Sequence, residues 1–153
     1  LGLYMITQLH VNGEIEGNLE DYYTTFLAGI FRSVRFGAAS AHGRANMIRF
    51  NFFKEHGAFE RDDQTGRYSI NFDKMQVAMA ALSELILTLQ GDGDYDGVTK
   101  LVDEKGIIGS QLQSDLDKLS NATIPVDVVF EQGIDVLGTK QLMHVFTTFS
   151  SMI

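Results

Sequence analysis

The sequence predicts a mainly α fold, a multi-helix domain with one β-hairpin and a short C-terminal strand. Three observations carry this. Apolar residues recur at helical spacing in several stretches, the longest being Leu19, Tyr23, Phe26, Leu27, Ile30, Val34 and then Met75, Ala78, Leu82, Leu85, Ile86, Leu89. The chain holds one proline and 15 glycines, and the glycines punctuate those stretches. One segment, AFERDDQTGRYSINF, instead alternates with a period of two around a glycine-bearing loop.

The elements follow in order. Leu1 to Val11 reads as a helix closed by Asn12 and Gly13, with His10 near the end where a cationic imidazole suits the helix dipole. Asn18 is the expected N-cap of the second helix, with Glu20 and Asp21 in its first turn and Arg32 and Arg35 off its core stripe. Gly37 closes that helix, Ser40 caps the next, and Gly57 ends it after His56. The hairpin is too small to stand alone and must lie on the helices, and its Asp62-Asp63 pair reads as turn chemistry. Asp73 with Gln76 has capping-box spacing at the start of the fourth helix, and Phe72 with Val77 has that of a hydrophobic staple. Two further helices are expected, Tyr95 to Lys105 closed by Gly106, and Ser110 to Asn121 through Leu112, Leu116 and Leu119. Pro125 stops helical continuation, and VDVVF at Val126 to Phe130 alternates as a strand. The apolar tail over 139–153, which includes His144, needs a surface to pack on.

The third helix, in FGAASAHGRANMIRFNFF, is unusual because polar side chains interrupt an apolar segment. Wound at ~100° per residue, it places Ala41, Ala45, Ile48 and Phe52 on one flank and Met47 and Phe50 on the other. His42, Asn46 and Arg49, at i, i+4 and i+7, run between the flanks, and Arg44, Asn51 and Glu55 fall on the solvent side. Burying such groups costs roughly 1–3 kcal/mol each unless they find partners. The stripe therefore reads either as the wall of a polar cleft or as satisfied core and rim groups.

Composition narrows the functional classes. At 153 residues the chain fits one domain, and 44% hydrophobic with 21% charged residues is the balance of a folded globular protein. A net charge of −8 and a pI near 4.8 disfavour nucleic acid and anionic membrane as partners. Cysteine is absent, which removes a disulfide framework, a thiol nucleophile and thiolate metal ligation, and fits a cytoplasmic setting. No window approaches the ~18 apolar residues of a membrane span, and the amino terminus lacks a signal-peptide pattern. Leu1 is not a natural initiator, so the chain is expected to be a piece of a longer protein.

GDGDYDGVTKLVD supports two readings. Asp92, Asp94, Asp96 and Gly97 fit positions one, three, five and six of a calcium-binding loop, but Asp103 stands at the twelfth position, where a glutamate is expected. The same acids are explained by capping and dipole at the start of the helix from Tyr95.

Three runs carry a family resemblance: SVRFGAASAHGRANMIRFNFFKEHGAF, LSELILTLQGDGDYDGVTKLVDEKGII and IPVDVVFEQGIDVL. Together they resemble the C-terminal part of the dipeptidyl-peptidase III family of zinc metallopeptidases, some members of which are fused to Nudix hydrolase domains. The resemblance implies that His42, in the Ala-His pair, lines the substrate cleft and helps hold the peptide carbonyl during attack. Some relatives carry an arginine four residues later, where this chain has Asn46; Arg49, one turn on, reaches the same region. Neither HExxH nor the family's HExxGH occurs, nor the helix with paired glutamates that supplies the third zinc ligand, and no Nudix glutamate helix is found. The resemblance places those zinc motifs in a helical lobe upstream of Leu1.

The resulting expectation is a single helical domain, residues 1–153, forming the C-terminal portion of a zinc-dependent dipeptidyl peptidase. It contributes His42 as a contact to the reacting carbonyl and Asn46 and Arg49 as substrate-binding residues, with no metal ligand of its own. Zinc belongs to the parent enzyme, the partners are the upstream lobe and a short peptide, and the chain by itself is expected to be inactive. The alternatives are a noncatalytic helical interaction module and a calcium-binding module using Asp92 to Asp103.

Overall fold

The computed structural model describes residues 1–35 and 37–122; the chain divides into two compact units, and the described residues belong to the first, Leu1–Ala122. Six helices and a two-stranded antiparallel hairpin succeed one another there: α1 (Gly2–Val11), α2 (Leu19–Val34), α3 (Ala41–Glu55), β1 (Phe59–Arg61), β2 (Tyr68–Ile70), α4 (Phe72–Asp92), α5 (Tyr95–Lys105) and α6 (Ser110–Asn121). The expected mainly α class with one hairpin is found. The expected strand at 126–130 and the tail over 139–153 lie outside the described residues. Among the described helices none is long and apolar enough to cross a membrane.

Local chemistry sets most boundaries. Asn18 accepts a hydrogen bond from the Glu20 N–H at 3.0 Å, Ser40 from Gly43 at 3.0 Å and Asp94 from Gly97 at 2.9 Å, so three helices start where a short polar side chain satisfies an orphan donor. Gly93 ends α4 in the left-handed region at φ 64°, a conformation open to glycine without steric penalty. His10 closes the α1 end by bonding the Gly17 carbonyl through Nε2 at 2.9 Å. The expected cap of α4 is corrected. Asn71, not Asp73, caps that helix, accepting from the Lys74 N–H at 3.1 Å, and Val77 is 68% exposed, so there is no staple to Phe72. The hairpin is the reason: the Asn71 N–H still bonds the Ala58 carbonyl at 2.9 Å, and the chain turns into the helix directly from that last rung.

The core is built around α3, on which α2, α4, α5 and β1 all pack. Its Met47, Phe50 and Phe53 are at most 2% exposed. The Phe50 ring lies 4.8 Å from Phe59, 5.6 Å from Phe31 and 6.3 Å from Tyr68, in tilted and edge-on pairs that add to the burial term. Tyr23, Leu27, Ile30 and Val34 of α2 and Met75, Ala78, Met79 and Leu82 of α4 complete the apolar centre. The hairpin register, Phe59 opposite Ile70 and Arg61 opposite Tyr68, turns these four residues toward the helices and leaves Glu60 and Ser69 to water. Asp62 accepts from the Gln64 and Thr65 N–H groups at 2.7 and 3.0 Å, which is the turn role expected for it.

Two long-range polar contacts fasten the periphery. Arg61 grips Asp115 of α6 with both arms of a fork, Nε to Oδ2 at 2.7 Å and Nη2 to Oδ1 at 2.9 Å, and the Tyr68 hydroxyl donates to Oδ2 at 2.8 Å. The guanidinium hydrogen bonds, with the Tyr68 bond in support, hold the Asp115 carboxyl well below the ordinary carboxylate range, overriding the opposing effect of burial. Burial, then the bond to Asp115, pushes the Tyr68 phenol up. The second contact corrects the expected solvent position of Asn51. Its side-chain amide donates to the Lys105 and Ile107 carbonyls at 2.8 and 2.9 Å, capping the C-terminus of α5, while Glu55 pairs with Lys105. Helix α5 covers that face of α3, which no local pattern announces.

Because Asp115 has a depressed native pKa, its contribution to stability is complete above the ordinary aspartate value of about 4 and is lost as pH falls toward the native one. Urea denaturation from pH 7 to pH 2 is expected to show the Asp115→Asn variant less stable at pH 7 and flatter with pH below about 5 than the parent. Asn51→Ala is expected to cost about 1–2 kcal/mol and to speed amide exchange most at the end of α5. Exchange rising uniformly over all helices would contradict that local role.

Candidate functional site

With α2, α4, α5 and β1 against it, α3 leaves the edge that bears the polar stripe accessible. His42 is exposed in the first turn, Asn46 is half-buried one turn on, and Arg49 is exposed one turn further. Arg49 Nη1 donates to Asn46 Oδ1 at 2.8 Å, an i, i+3 contact that ties the last two together. The flank beside them is thinly covered: Ala41 is exposed, and Ala45 and Ile48 are half-buried. The stripe is thus a rim in contact with water, not an interior seam. Of the two readings of the stripe, the described residues alone favour the rim.

Beside this edge lie two apolar hollows. The larger, about 830 Å³, opens between α1, α2, α3 and α4 and is lined by Leu3, Ile6, Phe26, Phe53, Leu82 and Ile86, with Asp21 and Arg49 among its polar walls. The smaller, about 200 Å³, lies between α3, α4 and α5 and is lined by Ala45, Ile48, Leu89, Val98, Leu101 and Val102. Arg49 and Ile86 line both, so the guanidinium stands on the ridge between them. His42 and Asn46 line neither. The amphipathic spacing of α4 places Ile86 and Leu89 toward the core; Ile86 packs against it, while Leu89 is half-buried and borders the smaller hollow.

The acidic segment takes its capping reading. Asp92 is the last residue of α4, Asp94 caps α5, and the helix runs unbroken from Tyr95 to Lys105. Asp96 and Asp103 then lie about 10 Å apart along the helix, at ~1.5 Å per residue, so in this conformation the twelve residues do not form a calcium loop. Capping and the helix dipole account for Asp94 and Asp96 at the start of α5. Among the described residues no three or more His, Asp or Glu side chains are grouped to hold a metal ion.

Comparison with known proteins gives the arrangement its context. No family-wide sequence profile matches the chain. The solved structure of dipeptidyl-peptidase III from Caldithrix abyssi superposes with a TM-score of 0.77 at 33% identity, over 83% of this chain and 24% of that one. Dipeptidyl-peptidase III from Corallococcus sp. strain EGB gives 0.77 at 34% identity, over 84% and 24%. The chain is similar to one part of dipeptidyl-peptidase III. The Nudix hydrolase 3 of Arabidopsis thaliana is 38% identical over 130 residues, 84% of this chain and 17% of that protein. The chain therefore spans about a quarter of the solved dipeptidyl-peptidase III chains and about a sixth of the curated relative. Identity above 30% together with this superposition supports a peptidase-related region, in agreement with the sequence resemblance.

Titration with calcium to millimolar concentration is expected to leave tyrosine emission unchanged, since Tyr95 sits beside Asp94 and Asp96 and would report an ion bound there. A saturable response would reinstate a loop that closes on calcium.

Proposed function

We propose that this chain is the part of a dipeptidyl-peptidase III-like zinc peptidase that furnishes substrate-cleft side chains from α3. The observation that carries the reading is the superposition at a TM-score of 0.77 with 33–34% identity over 83–84% of the chain. The described residues contain no zinc ligand set, so in this reading the metal and the water it activates belong to the upstream lobe. The role derived for this chain is confined to its own side chains.

His42 donates a hydrogen bond to the scissile carbonyl oxygen as negative charge develops there. Such a contact is stronger in the transition state than in the ground state, and preorganised donors of this kind contribute ~3 kcal/mol. The exposure of His42 suits the role, because a donor sealed in a core could not reach a peptide. Arg49 positions the peptide, and Asn46 holds the guanidinium in place at 2.8 Å. In this reading the upstream lobe covers the larger apolar hollow, which Leu3, Phe26, Phe53 and Leu82 border.

The same hollow also favours a second reading, a noncatalytic interaction module in which a separate protein covers it. Activity decides between them. The full-length protein carrying this chain is expected to release dipeptides from the free amino end of a short peptide, and a zinc chelator is expected to abolish release. His42→Ala is expected to lower kcat about a hundredfold while KM changes by no more than a few-fold. Unchanged turnover in that variant would remove His42 from the reaction; no release from a zinc-loaded, folded parent would leave the interaction module.

A further inference from the structure

We propose that Gly43 is a positioning residue for His42, holding the first turn of α3 at the one distance from the preceding segment that aims the imidazole. The inference rests on the peptidase reading of His42 and adds to it a second residue, which no comparison assigns.

Gly43 is buried although its neighbours His42 and Arg44 are exposed. A Cβ at this position would stand 2.7 Å from Ala38 Cα, 3.1 Å from the Ala38 carbonyl carbon and 3.1 Å from the Gly37 carbonyl oxygen. All three are backbone atoms, so no side-chain rotation can relieve the clash. The segment 37–40 is folded tightly along the helix start, after a reversal at Gly37 with φ 100°. It is also bonded there: the Gly43 N–H donates to Ser40 Oγ at 3.0 Å, the Arg44 N–H to the Ser40 carbonyl at 2.9 Å, and Arg44 Nη2 to the Ala39 carbonyl at 3.3 Å.

Glycine weakens a helix relative to alanine, so helix formation does not explain its presence. What it permits is the close approach. His42 is bonded directly to Gly43, and a methyl group forced in at 43 must push the segment 37–40 away or swing the first turn, either of which carries the imidazole with it. A displacement of about 1 Å in a reacting group is enough to cost a large factor in rate.

The test uses the full-length peptidase, assayed well below the melting temperature of each variant. Gly43→Ala is expected to lower kcat about tenfold or more with KM within about threefold, because turnover depends on the aim of the donor more than ground-state binding does. Ser40→Ala, which removes the acceptor for the Gly43 N–H without adding bulk, is expected to lower kcat in the same direction, and Ser40→Asp to restore it, since aspartate caps as serine does. A kcat within twofold of the parent for Gly43→Ala, where His42→Ala in the same protein loses turnover, would overturn the inference and leave the peptidase reading standing. If Gly43→Ala does not fold, the Ser40 pair decides: equal kcat for Ser40→Ala, Ser40→Asp and the parent overturns it. Full turnover in His42→Ala would remove the reading and this inference together.

Discussion

One helix supplies the aromatic centre of the core, and the rest of the structure is arranged around it. Helix α3 is met by α2, α4, α5 and β1, and its Phe50 alone touches rings from α2 and from both strands. Aromatic side chains of this size dominate the energy of a small core, and truncating one typically costs 3–5 kcal/mol. The accessible parts of α3 carry its polar groups, with Arg44 and Glu55 on one side and the stripe along another edge. His42, Asn46 and Arg49 occupy that edge, and the hollows beside Arg49 mark where its covering stops.

The polar groups divide into two kinds by what satisfies them. Arg61, Asp115 and Tyr68 saturate one another in a largely buried fork, and Thr7 bonds both the Leu3 carbonyl and the Tyr23 hydroxyl inside the core. No buried side-chain nitrogen or oxygen among the described residues is left without a partner. Such groups fasten the hairpin to α6 and α1 to α2, and a ligand has no access to them. Arg49 is different: it is held by Asn46 yet exposed, so it is oriented while its remaining donors face outward. Orientation with spare donors is what a binding side chain requires.

The likeness to dipeptidyl-peptidase III gives these observations a common frame. A segment about a quarter as long as the solved relatives retains their arrangement at a TM-score of 0.77, with a well-filled core around α3 and an open apolar hollow between four of its helices. That hollow is the feature that joins the peptidase reading to its alternative.

Features that depend on near neighbours in the chain are written in the residues themselves. The caps Asn18 and Ser40, the hairpin over Phe59 to Ile70 and the apolar faces of α2 and α4 were all legible, because each depends on residues close together in the chain. Asp73 was misjudged as a cap because the hairpin ladder, reaching Asn71 from Ala58, fixes where the helix begins. The polar stripe of α3 was legible as a stripe, but its exposure was not, since periodicity sorts residues among faces without saying which face a neighbour covers. Tertiary structure alone decided that Asn51 caps a helix ending 54 residues later, that Arg61 grips Asp115 across an equal span, and that Gly43 admits the backbone at Ala38. Each of these is a contact between segments whose distance is set by packing of the whole unit, and no local pattern encodes that distance.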